Sequence, residues 1–129
     1  MGKNVRVCSS AMIIGSGALE IGDNTWIGHR VLISSSSSIY IGHNVDVAPN
    51  VYIGTGTHTI DIEGERIAGE GISKDIVVND GAWLCTGCMI LPGVTIGEKC
   101  VVAAGAVVTH SSEAKKLLAG VPAVVKRGL

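Results

Sequence analysis

The chain has 129 residues, 47% hydrophobic and 16% charged, with a formal net charge of −1, which excludes a disordered polyelectrolyte and a nucleic-acid partner. Aromatic residues make up only 3%, whereas Val and Ile together contribute 31 residues and Gly 18, which favours strands with tight corners over a helical bundle. No apolar run approaches the roughly 18 residues of a membrane span, and residues 1–14 hold too short an apolar stretch for a signal peptide. We therefore expect a cytoplasmic protein that forms a single domain over residues 1–129, with no membrane partner.

An aliphatic residue recurs every sixth position through residues 5–54 and again through residues 76–110. The positions two residues before these markers are mostly small or aliphatic, and this pattern fits neither a helix nor a plain alternating strand. It fits a short strand, a corner and another short strand, with three sides closing a triangular coil of about 18 residues. The sequence thus predicts an all-β fold, a parallel β-helix of hexapeptide repeats. The markers are Val7, Ile13, Ile21, Ile27, Ile33, Ile41, Val47, Ile53, Val78, Leu84, Ile90, Ile96, Val102 and Val108.

The six-residue step is interrupted three times in the first half of the chain. Two extra residues enter near Gly15–Gly17, two more at the serine run Ser34–Ser38, and nineteen in a loop over about residues 55–75. Each interruption comes three sides after the last, so all three are expected to project from one corner of successive coils. Long loops in small domains are often functional, and this one is rich in charge. The serine run is either a low-complexity segment or one wall of a pocket.

Beyond Val108 the hexads stop, and Ser111-Ser112-Glu113 predicts the start of a short C-terminal helix. This helix should end before Gly120 and Pro122, within a tail that spans 111–129.

Cys85 and Cys88 form a C-x-x-C pair, a pattern typical of zinc or redox sites. Because no second pair exists, and because Cys88 and Cys100 occupy apolar repeat positions, we predict no metal and no disulfide.

His58 lies where the coil is interrupted, beside the charged loop and above the serine run. This position suggests a general base, although a loop histidine without a role has the same pattern. The segment Ala48-Pro-Asn-Val-Tyr-Ile-Gly-Thr-Gly-Thr-His-Thr-Ile-Asp61 resembles the one that carries the active histidine of the maltose and galactoside acetyltransferases. Further matching segments follow in the same order: Ala82–Gly87, Ile90–Gly97, Ala104–Thr109 and Ala119–Ala123.

This resemblance implies a left-handed β-helix that moves an acetyl group from acetyl-CoA to a hydroxyl of a saccharide, with His58 as the base. It also implies a homotrimer with its sites between neighbouring subunits. The positions that match coenzyme contacts are Trp83, Thr86, Ala104, Thr109, Lys126 and Arg127. The register adds support of its own, because Thr86 and Ala104 are 18 residues apart and should stack on one line.

The acceptor half departs from the family pattern. Arg30 stands where the family has an Asn, Ser35 and Ser36 stand where it has paired acidic residues, and Asp61 is a candidate either for the acceptor side or for orienting the His58 ring. We take these four residues as candidate acceptor contacts, and the acceptor need not be maltose or a galactoside. Two alternatives stay open: N-acetylation of an amino sugar or nucleotide sugar, and a catalytically silent hexapeptide scaffold.

Overall fold

The computed structural model describes residues 1–129, which form short strands joined by corners. In chain order the strands are β1 (Arg6–Val7), β2 (Met12–Ile14), β3 (Ala18–Ile21), β4 (Trp26–Ile27), β5 (Leu32–Ser34), β6 (Ser38–Ile41), β7 (Asp46–Val47), β8 (Tyr52–Gly54), β9 (Gly56–Ile60), β10 (Ala68–Ser73), β11 (Ile76–Val78), β12 (Trp83–Leu84), β13 (Met89–Ile90), β14 (Thr95–Ile96), β15 (Val101–Val102), β16 (Val107–Val108), β17 (Lys116–Gly120) and β18 (Ala123–Gly128). The chain contains no helix that is long and apolar enough to cross a membrane.

Three parallel sheets form the sides of a triangular coil. Sheet 1 contains β1, β4, β7, β12, β15 and β17, sheet 2 contains β2, β5, β8, β13 and β16, and sheet 3 contains β3, β6, β11 and β14. Each strand pairs with the strand one coil further along the chain, so that the register in sheet 1 runs Arg6↔Trp26↔Asp46↔Trp83↔Val101. The predicted parallel β-helix is therefore confirmed, with successive offsets of 20, 20, 37 and 18 residues in this register.

The core is a stack of the aliphatic markers. Ile33 pairs with Ile13 on one side and Ile53 on the other, and both Ile33 and Ile53 are completely buried. The first coil has no neighbour below it, so its marker Ile13 is 45% exposed. At the other end, antiparallel pairing of β18 with β17 closes the sheet, and Leu118 is only 3% exposed.

Glycine follows several markers because the corner there leaves no room for a side chain. At Gly22 an added Cβ would lie 2.6 Å from the backbone carbon of Gly42 and 2.7 Å from the nitrogen of His43, both in the next coil. At Gly97 it would lie 2.5 Å from the nitrogen of Ala114. These are distances that non-bonded atoms do not reach without displacing backbone, so stacking of coils, rather than backbone torsion, selects glycine at these corners.

All three insertions lie at the corner between sheets 2 and 3, which we call the insertion corner (residues 15–17, 35–37 and 55–75). The longest insertion is not an irregular loop. It forms an antiparallel hairpin in which β9 pairs with β10, with His58 opposite Gly71 and Thr57 opposite Ile72. The hairpin projects from the third coil, directly above the serine run of the second.

The predicted C-terminal helix is wrong. Residues 111–115 run alongside the last coil: the hydroxyl of Ser111 accepts a hydrogen bond from the backbone of Thr95 at 2.8 Å, and the Lys115 N–H donates to Glu98 at 2.8 Å. The following residues form β17, which pairs with β15. A helix would form its own backbone hydrogen bonds but would leave the backbone N–H and C=O groups at the edge of the last coil without partners. Pairing with that edge therefore outweighs the local preference of these residues for a helix.

The cysteines give a test of this packing. Cys88 and Cys100 are completely buried, whereas Cys8 and Cys85 are partly exposed. Burial raises the pKa of the Cys88 thiol from 9.0 to about 12, with a smaller contribution from Cys85.

We expect a disulfide exchange reagent at pH 8 to label Cys8 and Cys85 in the native protein and all four cysteines after denaturation. Mass spectrometry of the labelled peptides would identify the sites, and labelling of Cys88 in the native state would contradict the packing. The pKa of this thiol is higher in the folded state than in the unfolded state. Its contribution to stability is therefore complete below pH 9 and is lost as the pH rises from about 9 towards 12.

Candidate functional site

His58 lies on β9 of the hairpin, and its ring is held by the opposite strand. Its Nδ1 is 3.0 Å from the carbonyl oxygen of Gly69. A carbonyl oxygen can only accept, so Nδ1 carries a hydrogen, and in the neutral ring the lone pair is on Nε2. The side chain is exposed, so Nε2 is available to take a proton from a bound molecule.

The ring borders an open cleft of about 330 Å³ between the hairpin and the serine run. The lining contains no aspartate, glutamate, lysine or arginine. The lining residues are Ser36, Gly56, Thr57, His58, Gly71, Ile72 and Ser73. The serine run therefore does form one wall of a pocket, through Ser36.

A group of hydroxyls fastens the base of the hairpin to the serine run. Ser73 Oγ lies 2.8 Å from Ser37 Oγ and 2.9 Å from Thr55 Oγ1, and Thr55 Oγ1 also accepts a hydrogen bond from the backbone N–H of Ser36 at 2.9 Å. Thr55 is completely buried. Thr55, Ser73 and Gly69 could not be identified from the amino-acid sequence, because their roles depend on which hairpin residues face each other across the strands.

The structure gives two of the predicted site residues other hydrogen-bond partners than expected. Ser35 is only 3% exposed, and its hydroxyl donates to the carbonyl of Ala18 at 3.0 Å, so it is a structural residue of the corner and its prediction as an acceptor contact is wrong. Asp61 does not orient the His58 ring, since Gly69 does so. The Asp61 carboxylate instead accepts a hydrogen bond from the Gly64 N–H at 2.9 Å in the hairpin turn, where it remains exposed.

Thr86 and Ala104 lie on one line, at the corner between sheets 1 and 2. The Gly105 N–H donates to the Thr86 carbonyl at 3.0 Å, which holds the two coils in register, while the Thr86 hydroxyl donates to the carbonyl of Pro49 at 2.7 Å. The backbone N–H groups of Thr86 and Ala104 themselves donate no hydrogen bond within the chain. A Cβ added at Gly87 or Gly105 would meet no atom within 4 Å, so an open strip with two free donors runs along this corner.

The other coenzyme candidates divide between two parts of the molecule. Trp83 is 51% exposed on β12 of sheet 1, and Lys126 and Arg127 are exposed on β18 at the end of the same sheet. Arg127 lies opposite Leu117, at the end of β17 that is farther from the open strip. Thr109 lies apart from them, at the exit of β16, where its hydroxyl contacts the His110 ring at 2.9 Å.

Arg30 shares the corner of Thr86, two coils earlier in the stack. Its Nε donates to Asn50 Oδ1 at 3.0 Å.

His58 belongs to the insertion corner, whereas Thr86 and Ala104 belong to the corner between sheets 1 and 2. One side of the triangle separates them, which is five or six extended residues or roughly 15–20 Å. A single protomer therefore places its base and its open strip on different corners.

Two family models match the chain, "Bacterial transferase hexapeptide (six repeats)" over residues 75–110 and "Hexapeptide repeat of succinyl-transferase" over residues 18–55. The galactoside O-acetyltransferase of Escherichia coli K12 is 35% identical over 109 residues, which cover 84% of this chain and 53% of that protein.

Among solved structures, a hexapeptide-repeat acetyltransferase of Vibrio cholerae O1 biovar eltor, complexed with acetyl coenzyme A, superposes with a TM-score of 0.84 at 32% identity. That match covers all of this chain and 70% of the other. The maltose O-acetyltransferase of Clostridium difficile 630 gives a TM-score of 0.78 at 26% identity, covering all of this chain and 68% of the other.

The stacked coils and the two matching family models define a hexapeptide-repeat β-helix. The chain belongs to the hexapeptide-repeat acetyltransferase family. It spans about half the length of the curated relatives it matches.

Proposed function

We propose that the protein transfers the acetyl group of acetyl-CoA to a hydroxyl of a saccharide, with His58 as the general base. The observation that carries this proposal is the hydrogen bond from His58 Nδ1 to the Gly69 carbonyl. It selects the tautomer in which Nε2 can accept a proton, on a ring that borders an open cleft.

The chemistry requires a proton to move twice. Acetyl-CoA supplies a thioester, and a sugar hydroxyl attacks such a carbonyl poorly unless its proton is removed as the new C–O bond forms. His58 Nε2 takes that proton, and the hydrogen bond to Gly69 stabilises the imidazolium that results. His58 then returns the proton to the departing sulfur as the C–S bond breaks, so the enzyme ends the cycle unchanged.

The open strip at the corner between sheets 1 and 2 fits an extended coenzyme arm. The free N–H groups of Thr86 and Ala104 are about 4.8 Å apart along the stack and can donate to the amide carbonyls of such an arm. Trp83, three residues before Thr86, offers an exposed apolar face on sheet 1, and Lys126 and Arg127 offer positive charge for phosphate groups at the end of that sheet.

The separation of His58 from the strip supports a site shared between copies of the chain. In a homotrimer, the hairpin of one subunit would face the strip of its neighbour, which brings the base to the thioester. Thr109, which lies at the insertion corner with His58, would then reach the coenzyme from the hairpin-bearing subunit.

A complementation experiment tests this shared site. We expect His58→Ala and Ala104→Trp to be inactive separately, the first for lack of a base and the second because the indole fills the strip. When the two variants are co-expressed with different tags and purified through both tags in turn, every trimer contains both variants. One of its three sites then combines an intact His58 with an intact Ala104, and activity should return to about one third of the wild-type level. Mixed oligomers without activity would place the site within one protomer.

The activity itself is tested by incubating the protein with acetyl-CoA and a panel of saccharides and following free thiol release. Hydroxylamine cleaves an ester product but leaves an amide intact, so the same products distinguish O-acetylation from N-acetylation. The cleft contains no carboxylate to bind the ammonium of an amino sugar, which favours the hydroxyl acceptor. Failure to bind acetyl-CoA would support a silent scaffold instead.

A further inference from the structure

The side chain of Arg30 is held in place but not neutralised. Its Nε donates to Asn50 Oδ1 at 3.0 Å, and its backbone N–H donates to Ser10 Oγ at 3.0 Å. The remaining N–H groups of the guanidinium have no partner in the chain. The one contact within 4.0 Å between a basic nitrogen and a carboxylate joins His43 to Asp23, so no carboxylate lies against Arg30.

The backbone at this position is unfavourable for an arginine. Arg30 has φ of +54°, and the equivalent corner positions in later coils are Asn50, Gly87 and Gly105, with φ of +63°, +70° and +70°. Glycine and asparagine adopt this left-handed conformation readily, whereas other residues pay roughly 1–2 kcal/mol. The corner therefore carries a guanidinium where a smaller, neutral residue would fit the backbone better.

The location of Arg30 relates it to the coenzyme strip. It lies on the same corner as Thr86 and two coils below it, about 10 Å along the stack. The stack between them contains the Pro49–Asn50 corner, so Arg30 lies just beyond the end of the strip. In the shared site that we propose, the coenzyme phosphates would lie towards β18 at the far end of the stack, so the end at Arg30 would be the acceptor end. The cleft that would face Arg30 across the subunits has no negative side chain to compete for the guanidinium.

We propose that the saccharide acceptor carries an anionic group, a carboxylate or a phosphate ester, which binds the free edge of the Arg30 guanidinium. This inference rests on the proposed function and on a site shared between subunits. A guanidinium held through Nε presents its two terminal nitrogens side by side, which matches two oxygens of a carboxylate or phosphate. Asn50 acts as the positioning residue for Arg30.

The test compares matched acceptors: a methyl pyranoside, the uronic acid with the same ring stereochemistry, and the corresponding 6-phosphate. The quantity measured is the ratio of kcat/KM for each anionic acceptor to that for the neutral one. A charge-assisted contact predicts a ratio of roughly 10–100 for at least one anionic acceptor. The relative sizes of the two ratios show which anion the site takes.

Arg30→Gln should bring this ratio close to one, since Gln keeps much of the side-chain length but loses the charge. Lys99→Gln is the matched control. Lys99 is another exposed basic residue with a left-handed backbone, φ +51°, at a different corner, and its replacement should leave the ratio unchanged. Raising the ionic strength should lower the wild-type ratio.

Equal turnover of neutral and anionic acceptors by the wild type would overturn the inference while leaving the acetyltransferase proposal intact. A preference that survives Arg30→Gln would also overturn it. Absence of thiol release with every acceptor would instead refute the proposed function, and this inference with it.

Discussion

Replacing His58 with Ala is expected to lower kcat by about 10²- to 10⁴-fold, the range that a positioned general base contributes. The imidazole is the one basic side chain that lines the cleft, and the remaining lining residues carry hydroxyls or are apolar. KM for acetyl-CoA should change little, because the strip that we propose for the coenzyme lies on another corner. Thiol release with a saturating acceptor measures the effect.

The stability of this variant should match the wild type, since His58 is exposed and its ring makes its hydrogen bond only to Gly69. His43→Ala serves as the control. His43 is a histidine at the corner between sheets 3 and 1, where its Nδ1 accepts a hydrogen bond from the backbone of Asp23 at 2.7 Å, and its loss should leave turnover near the wild-type rate. Equal turnover by His58→Ala and the wild type would refute the assignment of the base.

Gly22→Ala is expected to lower the free energy of unfolding by about 1–3 kcal/mol, the cost of forcing an extra carbon into a packed structure. The new Cβ would lie 2.6 Å from backbone of the next coil, and that backbone is itself fixed, because the Gly42 N–H donates to Val78 at 2.8 Å. The coils would have to separate locally. The midpoint of urea unfolding, with an unchanged slope, measures the loss.

Gly56→Ala is the matched control for this substitution. Gly56 begins β9, where an added Cβ would meet only Ser36 Oγ, at the ordinary contact distance of 3.9 Å. The two variants make the same chemical change and differ in whether the coil above leaves space. If both lose the same stability, glycine would be required for backbone torsion or chain entropy, and not for the stacking of coils.

The repeat could be predicted because each inside position is set locally. The position of a marker within its six-residue repeat directs its side chain into the triangular coil. Ile33 and Ile90 can therefore be assigned to the core even when their contacts are unknown. Counting hexapeptides also predicts that the three insertions lie at one corner and that Thr86 lies below Ala104. Residues that are separated by a whole number of coils lie at the same corner of the triangle. Cys88, which local motif reading would assign to zinc, is buried for the same reason.

Predictions that relied on local signals outside the repeat were less successful. Ser111 and Ser112 have the sequence of a helix start, yet their hydroxyls accept hydrogen bonds from the edge of the last coil. Ser35 and Ser36 are neighbours in an apparently uniform serine run, but one is buried against Ala18 and the other lines the cleft. No property of a serine run distinguishes these two environments.

The amino-acid sequence by itself determined the β-helix, the corner that carries the insertions, and the residue types available for chemistry, because a six-residue period specifies burial through short-range geometry. Tertiary structure decided which groups act together. The partner of His58 is a backbone carbonyl eleven residues away across a hairpin, and Arg30 is held by Asn50 of the next coil. These hydrogen bonds form because the fold brings the two groups close together in space. The type of a residue does not specify which backbone carbonyl or which side chain of another coil will lie next to it.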